Sequence, residues 1–236
     1  WRVAADAAHA DYIAWSEVAT PQPGQVNLGE VMVWLRENIS PDTILCNGAG
    51  NYASWIHRFY RFRRFMAHVA PTSASMGYGM PAAVAMKRLH ADRPVISVNG
   101  DGDFMMSCNE FATAVQYRLP IKIFILNNER MGMVRQWQDL LHGSRYAHSY
   151  SESLPDFVKL AEAYGAKGIK CDTPAELDAA IADMLDHDGP VLFDVLVEKD
   201  ENCLPMIPSG KPHNEIILPD TANIGDIIDE KGRQLV

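Results

Sequence analysis

No stretch of the 236-residue chain stays apolar for the length that a bilayer crossing needs. Nothing repeats at the period of a solenoid, and no tract is of low complexity. Cysteine is sparse: Cys46, Cys108, Cys171 and Cys203 form no Cys-x-x-Cys pair and no zinc spacing, which fits buried thiols in a reducing compartment. Positive charge is also short, with 21 Lys and Arg against 30 Asp and Glu, and the resulting net charge of −9 argues against a surface built for nucleic acid. One basic run, Arg58, Arg61, Arg63 and Arg64 interleaved with Phe59, Tyr60 and Phe62, has the composition of a base-stacking patch. In so acidic a chain it reads better as a solvated or subunit-contacting face. The chain also lacks an initiator Met and opens inside an Ala-rich stretch, so we expect a piece of a longer protein.

What is present is an alternation of short apolar runs with amphipathic stretches. Residues 1–17 read as an amphipathic helix, broken by Thr20-Pro21-Gln22-Pro23-Gly24. Further helices are expected over 28–38, 75–89, 107–117, 155–164 and 174–186. Strands are expected over 43–46, 65–69, 94–99, 121–126, 166–170 and 191–197. This order implies an α/β fold, a mainly parallel sheet of about six strands with helices on both faces. Three parts are expected: a helical linker over 1–24 from a missing upstream domain, a ligand-binding domain over 25–200, and a tail over 201–236.

Two strand ends carry the chemistry. The run Pro94-Val95-Ile96-Ser97-Val98-Asn99 stops in Gly100-Asp101-Gly102-Asp103, and Ile121-Lys122-Ile123-Phe124-Ile125-Leu126 stops in Asn127-Asn128. With the helical segment between them they form a β-α-β unit whose carboxyl ends face one crevice. Glycine lets backbone N–H groups approach phosphate oxygens, Asp101 is a hard oxygen ligand for Mg²⁺ or Ca²⁺, and Asn128 adds a neutral carbonyl oxygen. Mg²⁺ keeps water and shares phosphate oxygens, so two side chains and one backbone carbonyl suffice. An isolated Gly-Asp-Gly is more often only a turn; the paired strand ends favour a site. Gly48-Ala49-Gly50-Asn51-Tyr52, just before a helix, is either a further phosphate cradle or an ordinary strand-to-helix turn. By residue type alone Met76 would fill a core gap and Trp137 would be a core aromatic.

Gly-Asp-Gly followed by Asn-Asn at this spacing resembles the cofactor motif of the thiamine-diphosphate-dependent decarboxylase and synthase family. Within it the chain looks most like the C-terminal thiamine-diphosphate-binding domain of the acetolactate synthase large catalytic subunits. Met76-Gly77-Tyr78-Gly79-Met80-Pro81, Gly132-Met133-Val134-Arg135-Gln136-Trp137, Pro155-Asp156-Phe157 and Pro205-Met206-Ile207-Pro208-Ser209-Gly210 extend the likeness along most of the chain. The resemblance implies Mg²⁺ held by Asp101, Asn128 and the backbone carbonyl of Arg130. It places Ala49, Gly50, Asn51, Tyr52, Gly100, Gly102 and Asp103 around the diphosphate. Met76 then props the thiazolium ring, while Ala74, Met131, Gly132 and Met133 are among the residues that hold the cofactor. Val134 and Trp137 fall where substrate choice is made.

The implied activity is decarboxylation of pyruvate and condensation of the remaining two-carbon unit with a second 2-keto acid, in branched-chain amino-acid biosynthesis. The activating glutamate is expected in a pyrimidine-binding domain that this chain lacks, and FAD in another absent domain, so this piece alone should be inactive. A homodimer or homotetramer, a small regulatory subunit and a cytoplasmic location are further expectations from the resemblance, with no nucleic acid and no membrane as partners. Asn51-Tyr52 and Thr72 to Ser75 depart from the acetolactate synthase pattern. They keep open a different thiamine enzyme, a 2-keto acid decarboxylase or a synthase-like paralogue.

Overall fold

The computed structural model describes residues 1–22, 24 and 26–218. Six strands, β1 (Ile44–Asn47), β2 (His68–Val69), β3 (Val95–Gly100), β4 (Ile121–Asn127), β5 (Lys167–Cys171) and β6 (Val191–Leu196), form one sheet in the order β2-β1-β3-β4-β6-β5. Every pairing is parallel. The central strands are buried except for the last residue of β3 and of β6, which is why they read as apolar runs rather than alternating ones.

Alternate residues of each strand feed two cores. Leu45, Ile96, Val98, Phe124, Leu126 and Phe193 meet α2 (Leu28–Asn38), α3 (Tyr52–Phe59) and α9 (Pro174–Asp186) on one face. Ile44, Cys46, Val95, Ile123, Ile125 and Leu192 meet α4 (Gly79–Leu89), α5 (Asp101–Met105), α6 (Phe111–Gln116) and α8 (Phe157–Ala163) on the other. The fold is thus the doubly covered parallel sheet that the residue pattern implies. Phe124 and Phe193 lie edge to face with ring centroids 5.1 Å apart, joining β4 to β6 in the first core.

Several boundaries differ from expectation for local reasons. The helix expected over 75–89 begins at Gly79, because Ala74 (φ 53°) and Gly77 (φ 80°) are left-handed and hold 74–78 as a loop. The helix over 107–117 is a 3-10 turn at Cys108–Glu110 followed by α6. Gly100 to Asp103 is less a turn than the start of α5, whose first residue is Asp101. The second strand shrinks to two residues at the sheet edge. α2 and α9 match their expected limits: Asn27 caps α2 by accepting from Gly29 and Glu30 N–H, and Pro174 opens α9.

The N-terminal α1 (Arg2–Ser16) is largely exposed, yet its end is fastened to the domain. Arg36 donates to the carbonyls of Ser16 and Glu17, and Arg58 donates to that of Trp15 while covering its ring at 4.2 Å. The arginine run is committed elsewhere too: Arg61 pairs with Glu17, Arg64 with Asp42, and Arg63 donates to the Ile39 carbonyl. These pairings make the run a clamp between segments.

Residues beyond β6 also pack on the domain. Met206 bridges Ile217, and the buried Gln136 side chain exchanges two hydrogen bonds with the backbone of Cys203 at 2.6 and 2.9 Å. Residues 219–236 of the expected tail lie outside the described residues. Truncating Phe193 to Ala should cost about 3–5 kcal/mol of stability, read as a lower denaturation midpoint, because it opens a cavity at the β4–β6 junction.

Candidate cofactor and metal site

Chain order reverses at the sheet centre. β1 leads to β2 on one side, and β3 then returns to the other side of β1, so the loops after β1 and β3 diverge above the sheet. Open α/β sheets bind ligands at such a point. Here the crevice is a cleft of about 700 Å³ with its mouth included, the scale of a cofactor-sized ligand.

Ala49, Gly50, Asn51 and Tyr52 line it from the β1 end, and Gly100, Asp101, Gly102 and Asp103 from the β3 end. Asn128, Arg130, Met131, Gly132, Met133 and Val134 line it from the β4 end and the start of α7 (Gly132–Leu141), and Met76 closes a side. Two expected residues fall elsewhere. Ala74 is exposed outside the cleft. Trp137, 46% exposed, lines a second groove beside it, which shares Met133 and Val134 with the cleft.

The two aspartates of the Gly-Asp-Gly-Asp run have different roles. Asp103 is buried and committed within the protein: it accepts from the Tyr52 hydroxyl at 2.6 Å and from the Gly77 N–H at 2.5 Å. Burial pushes its carboxyl above the usual range, and those donors with the Ala49 and Gly100 N–H groups pull it back. Tyr52 is raised well above its ordinary value by burial and by the Asp103 charge, so it stays a neutral donor. Gly48 lies against this carboxylate, and a Cβ there would collide with it. Asp103 therefore ties the β1 loop and the Met76 loop to the start of α5.

Asp101 is 1% exposed, and only part of its capacity is used. Oδ1 accepts from the Gly102 N–H at 2.6 Å, while Oδ2 is buried with no partner. Burial pushes this carboxyl up to about 6; the Gly102, Glu129 and Arg130 N–H groups oppose that, and the nearby negative Asp194 adds to it. A buried oxygen without a partner marks the place for a ligand that is positive or carries a proton.

Asn128 stands beside it at the end of β4. Its Oδ1 accepts from the Arg130 N–H at 3.2 Å, closing a turn in which Glu129 takes the left-handed φ of 52°. The donors offered are a carboxylate oxygen, an amide oxygen and backbone carbonyls, which suit a hard divalent cation. No group of three or more His, Cys, Asp or Glu among the described residues forms a metal cluster by itself. A cation that shares phosphate oxygens does not need one.

Sequence reasoning missed several residues here. Val26, Leu28, Trp55, Leu126 and Val197 form an apolar wall of the cleft, and Gln22, Glu198 and Glu201 stand at its edge. They come from segments distant in sequence with no motif of their own. Asp194 had a visible signal, as a lone acid in the otherwise apolar strand Val191–Leu196.

A parallel sheet whose carboxyl ends present an unpartnered carboxylate, an amide oxygen and glycine-rich backbone around such a cleft has the form of a cofactor-binding α/β domain. Residues 48–195 match the family described as thiamine pyrophosphate enzyme, C-terminal TPP binding domain, and the chain belongs to it.

The chain is 37% identical over 189 residues to the acetolactate synthase large subunit of Porphyra purpurea, covering 80% of this chain and 32% of that protein. With the large subunit from Haemophilus influenzae the identity is 43% over 147 residues, 62% of this chain and 26% of the relative. Among solved structures, the thiamine diphosphate-dependent 4-hydroxybenzoylformate decarboxylase of Rhodococcus jostii RHA1 superposes with a TM-score of 0.73 at 27% identity, covering 79% of this chain and 35% of that one. The chain thus spans about a third or less of the length of these relatives.

The raised Asp101 carboxyl has a stability consequence with a definite sign. The folded protein holds this proton more tightly than the unfolded chain, so stability falls as pH rises from the ordinary 3.8 through about 6. Without metal and above about pH 7, Asp101→Asn should therefore be more stable than the parent by on the order of 2 kcal/mol, the gain vanishing below about pH 4. Thermal denaturation in a chelating buffer across that range checks it.

Proposed function

We propose that this chain is the diphosphate- and metal-holding part of an acetolactate-forming enzyme. The observation that carries the reading is the partnerless buried oxygen of Asp101, set beside Asn128 and the Arg130 turn at the topological switch. In this reading Asp101, Asn128 and the Arg130 carbonyl hold Mg²⁺, which the diphosphate completes. When bound, thiamine diphosphate supplies the electron sink that decarboxylation of a 2-keto acid requires.

The protein's share is to place and to exclude. Asp103 keeps the Met76 loop and the Tyr52 turn in register around the cofactor. Gly100 and Gly102 bring side-chain-free backbone to the cleft wall, and Gly48 leaves room for the Asp103 carboxylate behind it. The apolar wall of Val26, Leu28, Trp55 and Leu126 keeps water from the cleft. Val134 and Trp137, on the outer face of α7, stand where a second 2-keto acid would be selected.

The acetolactate synthase relatives support condensation of pyruvate with a second 2-keto acid. The rest of such an enzyme would supply the glutamate that activates the cofactor and a place for FAD, with the active site completed between chains of a dimer or tetramer. A second reading, a 2-keto acid decarboxylase, is favoured by the Rhodococcus neighbour and by Asn51-Tyr52 and Thr72 to Ser75, which depart from the acetolactate synthase pattern.

The chain alone should bind Mg²⁺ with the diphosphate end of the cofactor and form no acetolactate from pyruvate. Robust turnover by the isolated chain would sink the proposal, and acetaldehyde as the product of the completed enzyme would select the second reading. Asp101→Ala should abolish magnesium-dependent cofactor binding in calorimetry, whereas unchanged affinity would remove Asp101 from the site.

A further inference from the structure

Strand β6 carries a carboxylate that residue patterning does not explain. A strand buried on both faces calls for apolar residues, and Asp194 sits among Leu192, Phe193 and Val195 at 6% exposure. Burial raises its carboxyl above the usual range, so its presence is a cost to the folded state. Its side chain pairs with Asn127, whose Nδ2 donates to Asp194 Oδ1 at 3.0 Å.

Asn127 is the last residue of β4 and is itself buried. In the β4–β6 register Ile125 lies opposite Asp194 and Asn127 opposite Leu196, so Asn127 and Asp194 are diagonal neighbours on one face. With its Nδ2 held by Asp194, the Asn127 amide has its oxygen turned the other way. That oxygen accepts from the Glu129 N–H at 3.2 Å. Glu129 is the left-handed residue of the turn, a conformation costly for a residue with a Cβ and one that local bonds must hold. The next bond, Arg130 N–H to Asn128 Oδ1 at 3.2 Å, completes the turn that presents Asn128 and the Arg130 backbone.

We propose that Asp194 is a positioning residue for the metal-binding turn, acting through the Asn127 amide to hold Glu129 left-handed and so to set Asn128 and the Arg130 carbonyl in place. The proposal deepens the functional reading above and rests on it. Asp194 touches neither metal nor diphosphate. Its negative field also acts on Asp101, a repulsion that a divalent cation beside Asp101 relieves.

The relay makes Asp194 and Asn127 one unit. Replacing either should let the turn relax and weaken metal binding by about 10–100-fold, as loss of a group that orients a ligand typically does. Asp194→Asn keeps an oxygen that can accept from Asn127 and should bind nearly as the parent does. Combining Asp194→Ala with Asn127→Ala should be no worse than either change alone.

The test uses the whole chain with Mn²⁺ as a spectroscopic substitute for Mg²⁺ and inorganic diphosphate as the anion. Affinity and electron paramagnetic resonance line shape are recorded for the parent and the four variants. Hydrogen exchange at the Glu129 and Arg130 amides is followed without metal, where a relaxed turn shows as faster exchange in Asp194→Ala and Asn127→Ala but not in Asp194→Asn. If Asp194→Ala does not fold, Asn127→Ala carries the same comparison from the other end of the bond. Parent-like Mn²⁺ affinity, line shape and exchange in the Ala variants would overturn the proposal, as would an Asp194→Asn protein as weak as Asp194→Ala. A parent chain that binds no Mn²⁺ with diphosphate would instead overturn the functional reading on which the proposal rests.

Discussion

The buried carboxylate of Asp103 is the joint on which the crevice depends. Three segments meet there that no sheet pairing connects: the turn after β1 through Tyr52, the loop before α4 through Gly77, and the first turn of α5. A carboxylate out of water is costly unless donors surround it, and this one draws its donors from different segments. The same bonds that satisfy the charge therefore fix the loops relative to one another. Gly48 follows from this, since the carboxylate occupies the space a side chain would need.

Asp101, two residues away, is the complement. One of its oxygens is satisfied by its own helix and the other is not. Neighbouring acids are thus separated into one that completes the scaffold and one left in deficit toward the cleft. Their difference arises from position on α5, where Asp101 faces the end of β4 and Asp103 the end of β1.

Much of this was legible from residues because a buried parallel strand leaves a plain mark. Val95 to Asn99 and Ile121 to Leu126 can hardly be anything else, and the glycines and amides that follow mark their carboxyl ends. The alternation of elements yields the covered sheet, and the resemblance yields the cofactor. The commitment of Asp103 was hidden because its partners, Tyr52 and Gly77, are 51 and 26 residues away. The apolar wall of the cleft was hidden for the same reason. Residues 75–78 are loop where the pattern reads as helix, because the left-handed Ala74 before them carries no sequence signal and the left-handed Gly77 among them is a residue that a helix can also tolerate.

The segment after β6 lies along α7 and grips it by several polar pairings. Asp200 meets Arg135 at 3.0 Å, Asn202 donates to Asp139 at 3.0 Å, and Gln136 pairs with the Cys203 backbone. Although burial acts to raise the Asp139 carboxyl, bonds from Tyr146, Asn202 and Ser144 and the Arg135 charge hold it below its usual range, so it remains an anion in this cluster. Only one side of α7 is used for this grip. Val134 and Trp137 point outward, free of the bonds that secure the helix. Substitutions at those two positions leave the anchor beneath them untouched, so the outer face of α7 can vary independently of the grip that secures the helix.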